Sequence, residues 1–217
     1  MSIASNLNTI KATLPEHVTL VAVSKTKPVS DLIQAYEAGQ RIFGENKIQE
    51  MTEKWEQMPK DIQWHMIGHV QSNKVKFMAP FVSLIHGVDS LKLLQEINKQ
   101  ALKNNRTIDC LLQIYIAEEE SKFGLDEKEL NELLTSVEFN ELKNIRILGL
   151  MGMATFTEDQ NQIKKEFAHL KSIFDSIQKL QIVDLKTISM GMSGDYQLAI
   201  ECGSTMVRIG SSIFGGR

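Results

Sequence analysis

TLVAVSKTKPVSDLIQAYEAGQRIFGEN, residues 19–46, carries the organisation of the chain in miniature. Thr19, Leu20, Val21, Ala22 and Val23 form a short, continuously apolar and β-branched run, the pattern of a strand buried on both faces of a parallel sheet. Pro28 halts its extension, and Ser30 and Asp31 offer side-chain oxygens for capping a helix that starts near Val29. A second strand-like run follows at Arg41–Gly44. Strand, helix and strand without a hairpin imply parallel pairing through a right-handed crossover.

The same rhythm continues to the end of the chain. Eight strands are predicted, at 19–24, 41–44, 63–67, 82–88, 110–116, 145–151, 185–189 and 206–209. Helices are predicted to begin near Val29, Glu45, Gln71, Ser90, Asp126, Thr157 and Gly194, and an amphipathic segment with Ile3, Leu7, Ile10 and Leu14 at helical spacing precedes the first strand. Eight strands favour closure over an open doubly wound sheet. At 217 residues the chain is slightly short for a (β/α)8 barrel, which typically takes ~250 residues. No linker, low-complexity tract or repeat beyond the βα unit divides it. The expected fold is therefore α/β: one TIM-type barrel over residues 1–217 with an extra N-terminal helix.

Composition excludes several classes of function. A formal charge of −3 with both signs interspersed provides no footprint for nucleic acid or an anionic membrane. Cys110 and Cys202 are far apart and outside any CxxC or zinc-ligand spacing, so neither a disulfide framework nor a structural zinc site is expected. His65 and His69 are four apart but straddle Gly68 and a strand end, with no third ligand, so no metal is assigned. With no basic start, no leader-like apolar core and no long apolar run, a cytoplasmic protein is expected, working as a monomer.

Polar residues concentrate where strands end, the face on which barrels gather their chemistry. Lys25 lies just past strand one. After strand seven, the turn MGMSG places the Ser193 hydroxyl and the Gly194 N–H at a helix start. Strand eight carries Arg208 between Val207 and Ile209, pointing the opposite way from them, and Gly210 and Ser211 follow. Barrels often assemble a phosphate site from the loops after strands seven and eight. Asn46 stands after strand two, either as a cap or as a ligand contact. His69 sits near the mouth, and Ser121 and Lys122 follow strand five as solvated loop residues or a subsidiary anion contact.

An amine, phosphate donors and an inward arginine together are what pyridoxal 5′-phosphate requires: a partner for its aldehyde, for its anionic tail and for its ring nitrogen. A lysine condenses with an aldehyde only as the free amine, so burial and nearby Lys27 and Arg208 are expected to assist Lys25. Arginine is a permanent donor and would keep the ring nitrogen unprotonated, which weakens the ring as an electron sink.

AVSKTKP, FGEN, WHMIGHVQSNK, EESKFGL, GLMGM and ISMGMSGDYQLAIECGSTMVRIGSSIFG together resemble the pyridoxal phosphate homeostasis proteins over essentially the whole chain. That resemblance implies a barrel similar to the N-terminal domain of alanine racemase, binding pyridoxal 5′-phosphate as a lysine imine in vitamin B6 homeostasis, without established turnover. It makes Lys25 the imine lysine, Ser193, Gly194, Gly210 and Ser211 the phosphate binders, and Arg208 the partner of the ring nitrogen, with Asn46 and Met190 lining the ring. No catalytic residue is assigned, and apo-enzymes that need the cofactor are the expected recipients. Lys47, and Tyr115 to Ala117, depart from the usual family residues. A small amino-acid racemase is the alternative; the resemblance places its second base on a C-terminal β-domain, which is not expected here. A Schiff-base aldolase usually carries its lysine on a later strand.

Overall fold

A computed structural model of the chain describes residues 2–118 and 123–216. Eight parallel strands close into a barrel in sequence order: β1 Thr19–Val23, β2 Ile42–Glu45, β3 Gln63–Met66, β4 Leu84–Val88, β5 Ile108–Gln113, β6 Ile145–Met151, β7 Thr187–Ser189 and β8 Met206–Ile209. Closure is the pairing of β1 with β8, in which Thr19 lies opposite Met206 and Val21 opposite Arg208. The barrel predicted from strand–helix alternation is present.

The helical layer comprises α1 Ile3–Thr13, α2 Val29–Glu37, α3 Ile48–Gln57, α4 Val75–Met78, α5 Leu91–Lys103, α6 Glu127–Thr135, α7 Val137–Asn140, α8 Gln160–Leu180, α9 Tyr196–Glu201 and α10 Ser211–Phe214. Caps set several starts as the sequence indicates: Ser90 Oγ accepts from Leu93 N, and Asp126 with Glu129 forms a reciprocal capping box. At α2, Pro28 takes the capping position, and neither Ser30 nor Asp31 caps through its side chain. The single-turn α10 is too short to cover β8. The N-terminal helix α1 fills that place, burying Leu7 and Ile10, packing on α2 and α10, and donating from Asn6 Nδ2 to the Ile213 carbonyl.

Strand alternation sorts the side chains into two cores. Trp64, Phe43, Ile85, Leu112, Leu150 and Val207 join the helices in the outer core, whereas Val21, Leu84, Leu111, Met151 and Met206 fill the lumen. The ends of β5 and β2 differ from expectation in ways that bear on the site. β5 stops at Gln113 because Ile114 leaves to bridge Leu125, with Leu125 N donating to the Gln113 carbonyl. Glu45 ends β2 instead of opening a helix, and it is fully buried. Among the described residues, no helix is long and apolar enough to cross a membrane.

Candidate functional site

Every strand but β4 sends its C-terminal end into the wall of one cavity of about 630 Å3. Val23 and Lys25 come from β1 and its loop, Asn46 from the end of β2, and Gly68 and His69 from the end of β3. Met153 to Thr157 follow β6, Met192 to Asp195 follow β7, and Arg208, Gly210 and Ser211 close the ring. This is the barrel face where function is expected.

Of the sequence-predicted residues, Lys25, Asn46, Ser193, Gly194, Arg208, Gly210 and Ser211 all line this cavity. Met190 does not: it follows the inward Ser189, is fully buried, and packs in the outer core. Lys27 also points elsewhere, donating from Nζ to the Gly216 carbonyl. Ser121 and Lys122 lie outside the described residues. His69 stacks on Phe123 with ring centroids 4.9 Å apart. Asn46 makes no capping bond to α3, whose capping residue is Lys47, so its amide is available to the cavity. Its backbone is packed tightly enough that a side chain at Gly68 would put Cβ 2.5 Å from the Asn46 carbonyl oxygen.

The loops after β7 and β8 are tied to each other, with Gly210 N donating to Ser193 Oγ at 3.3 Å. Gly191 allows the first of these loops its turn, at φ +96° where a Cβ would meet that of Ala199 at 2.6 Å. The backbone N–H groups of Ser193, Gly194 and Ser211 have no acceptor among the described residues, and all three residues line the cavity. Unpaired N–H groups converging on one concavity form an anion cradle.

Arg208 is 4 % exposed. Nη1 donates to the Ser189 carbonyl at 2.8 Å and to Ser189 Oγ at 2.6 Å, and Nη2 donates to the Gly152 carbonyl at 3.1 Å. Three bonds leave two of the five guanidinium donors unpaired among the described residues. Burial pulls its pKa down to about 10, still fully charged at neutral pH.

A buried polar chain continues from it across the lumen: Ser189 Oγ lies 3.0 Å from His86 Nδ1, and His86 Nε2 lies 3.0 Å from His65 Nδ1. Because arginine only donates, the arrangement that satisfies every member has the Ser189 hydroxyl accepting from Arg208 and donating to His86 Nδ1. His86 then carries its proton on Nε2 and donates to His65. The order depends on both histidines staying neutral. Burial holds His65 down to about 3, and burial, then His65 and Arg208, holds His86 well below its ordinary value.

These depressed values give a pH dependence. In the unfolded chain both histidines bind protons as pH falls through ~6.5, whereas the folded protein excludes them until far lower. The unfolded state therefore gains protons first, and stability falls on acidification from 6.5 toward the folded values, by up to ~1.4 kcal/mol per pH unit per histidine. Urea unfolding at pH 7 and pH 5 checks this: stability is expected to be lower at pH 5, and replacement of His86 by Gln should flatten the dependence.

His86 and Ser189 were not singled out in the sequence, although each is a polar residue at an inward position of a buried strand. No residue from Met153 to Thr157 was singled out for the site, although GLMGM ends at Met153. Among the described residues, no group of three or more His, Cys, Asp or Glu side chains is placed to hold a metal ion.

The family model described as "Alanine racemase, N-terminal domain" matches residues 1–217. The chain is 40 % identical over 200 residues to the "Pyridoxal phosphate homeostasis protein" of Aquifex aeolicus, covering 91 % of this chain and 86 % of that protein. It superposes on PipY of Synechococcus elongatus, solved with PLP bound, with a TM-score of 0.91 and 33 % identity over 99 % of this chain and 100 % of that one. An alanine racemase from Clostridium difficile shares the fold, with a TM-score of 0.81 and 18 % identity over 57 % of its length and all of this chain.

Proposed function

The chain belongs to the alanine racemase N-terminal domain family, and within it to the pyridoxal phosphate homeostasis proteins; on that footing we propose that it binds pyridoxal 5′-phosphate as a carrier and regulator of vitamin B6 rather than as an enzyme. One observation carries this reading. Lys25, Arg208 and the unpaired N–H groups of Ser193, Gly194 and Ser211 line the same cavity. When bound, the cofactor supplies an aldehyde and an electron-withdrawing ring.

Lys25 would be the amine that holds the cofactor through its aldehyde. Gly194 and Ser211 N–H and the Ser193 hydroxyl hold the phosphate. Gly210 keeps the wall open there, since a Cβ would sit 3.0 Å from the Val23 carbonyl oxygen. Asn46 flanks the ring. Arg208, held in place by Ser189 and Gly152, would offer its two remaining donors to the ring nitrogen and, as a donor-only cation, would keep a proton off it. A ring so held is a weak electron sink, which suits storage better than turnover. One chain supplies the whole cavity wall, so we propose the monomer as the working unit and apo-enzymes using the same cofactor as recipients.

The reading is tested by titrating the purified protein with pyridoxal 5′-phosphate and with pyridoxal, alongside an alanine racemisation assay. One cofactor per chain, at least tenfold weaker binding of pyridoxal and no racemisation are expected. Equal affinity for the two would remove the phosphate cradle. Racemisation at the rate of a dedicated racemase would overturn the carrier reading.

A further inference from the structure

Behind the Lys25 turn, outside the barrel wall, lies a buried ion-pair group that the cofactor cavity does not include. Lys54 of α3 is 5 % exposed, and its Nζ donates at 2.7 Å to three oxygens: Glu45 Oε1, Glu50 Oε1 and the backbone carbonyl of Ser24. Glu45 is fully buried, and the same Oε1 accepts from Ser24 Oγ at 2.6 Å. Its other oxygen has no partner among the described residues. Glu50 Oε1 also accepts from the Thr26 backbone N–H at 2.6 Å.

Ser24 and Thr26 flank Lys25. One buried cation with two carboxylates therefore fixes the carbonyl and hydroxyl on one side of Lys25 and the amide on the other. The turn so fixed is not relaxed, because Thr26 has φ +64°, a region a β-branched residue rarely occupies unless its surroundings impose it. A buried ion pair is a weak source of net stability, and its best-attested use is to fix one arrangement among alternatives. Ser24 is turned outward by alternation, toward α3 and this group, which leaves Lys25 directed into the cavity.

We propose that Glu45, Lys54 and Glu50 are positioning residues for the Lys25 amine: they hold the strained turn so that the amine is presented to an aldehyde in the cavity. The inference rests on the assignment of Lys25 above. Its consequence is selective, since the phosphate loops after β7 and β8 and Arg208 lie on other strands. Loosening the turn should weaken the covalent link while leaving phosphate and ring recognition in place.

The experiment compares wild type with Lys54→Met, Glu50→Ala and Glu50→Gln. Two quantities are measured: the fraction of chain trapped as a pyridoxyl adduct by borohydride at limiting pyridoxal 5′-phosphate, by mass spectrometry, and the affinity for pyridoxine 5′-phosphate, which has an alcohol in place of the aldehyde. Lys54→Met and Glu50→Ala should lower the trapped fraction at least tenfold and change analogue affinity by less than threefold. Glu50→Gln keeps an acceptor for Thr26 N–H and should stay within threefold of wild type on both. Glu50 is partly exposed, so its variants decide the matter if Lys54→Met does not fold. An unchanged trapped fraction in Glu50→Ala, or a parallel fall for both ligands, overturns the proposal. A wild type that yields no adduct at Lys25 refutes the premise instead.

Discussion

Replacing Lys25 with alanine is expected to abolish covalent attachment of pyridoxal 5′-phosphate, lowering the borohydride-trapped fraction at least a hundredfold, without unfolding the protein. Lys25 is partly exposed and makes no hydrogen bond or ion pair among the described residues, so its loss should change stability by no more than ~0.5 kcal/mol. The phosphate cradle and Arg208 sit on β7 and β8 and their loops, away from the substitution. Weaker, noncovalent binding of the cofactor should therefore persist in the variant. Equilibrium dialysis together with mass spectrometry separates the two contributions, since dialysis counts bound ligand and borohydride counts the linked fraction.

The second large effect is expected from Arg208→Met. Methionine retains the length of the side chain and removes its donors. The Ser189 carbonyl and hydroxyl and the Gly152 carbonyl each lose a charged partner inside the barrel, and with 4 % exposure at residue 208 water has little access to replace it. The Ser189 carbonyl still accepts from Gly152 N–H at 3.1 Å and the Ser189 hydroxyl keeps His86, so among the described residues only the Gly152 carbonyl is left without a donor. A buried acceptor left unpaired costs ~1–3 kcal/mol, and the lost charged bonds are partly offset as the burial cost of a guanidinium disappears. The net expectation is a loss of about 1–3 kcal/mol, read from urea unfolding. The Ser189 hydroxyl then loses the donor that orders its proton toward His86, so the polar chain loses its direction. Cofactor affinity should fall at least tenfold, because nothing else in the cavity offers a permanent donor at that position. An Arg208→Lys variant would keep the charge but not the fork that spans Ser189 and Gly152, and should recover only part of either loss.

The strand pattern was legible wherever an element is buried on both faces. β1 is a nearly continuous apolar run and β8 one interrupted by Arg208, and the boundaries read for strands six and eight, 145–151 and 206–209, coincide with β6 and β8. Arg208 was recognisable because a charge at an inward position in such a run has no cheap burial. Positions whose role depends on a remote partner were not legible. Glu45 reads as a polar helix start, and only Lys54, nine residues on and folded back over the strand end, makes it a buried strand residue. His86 and Ser189 acquire meaning from each other across 103 residues, a separation that no local periodicity encodes. Met190, which the family resemblance set against the ring, lies in the outer core because alternation beside the inward Ser189 turns it there. The β6 loop was not singled out for the site because its polar anchor, Glu166 on α8, takes Thr155 N and Oγ1 through a contact that forms only in the folded chain.

Peptide mapping of borohydride-reduced, cofactor-loaded protein asks whether a single amine at the end of β1 anchors the cofactor. One pyridoxyl group per chain is expected, on the peptide containing Lys25. A label confined to any other lysine, with the Lys25 peptide unmodified, would contradict it.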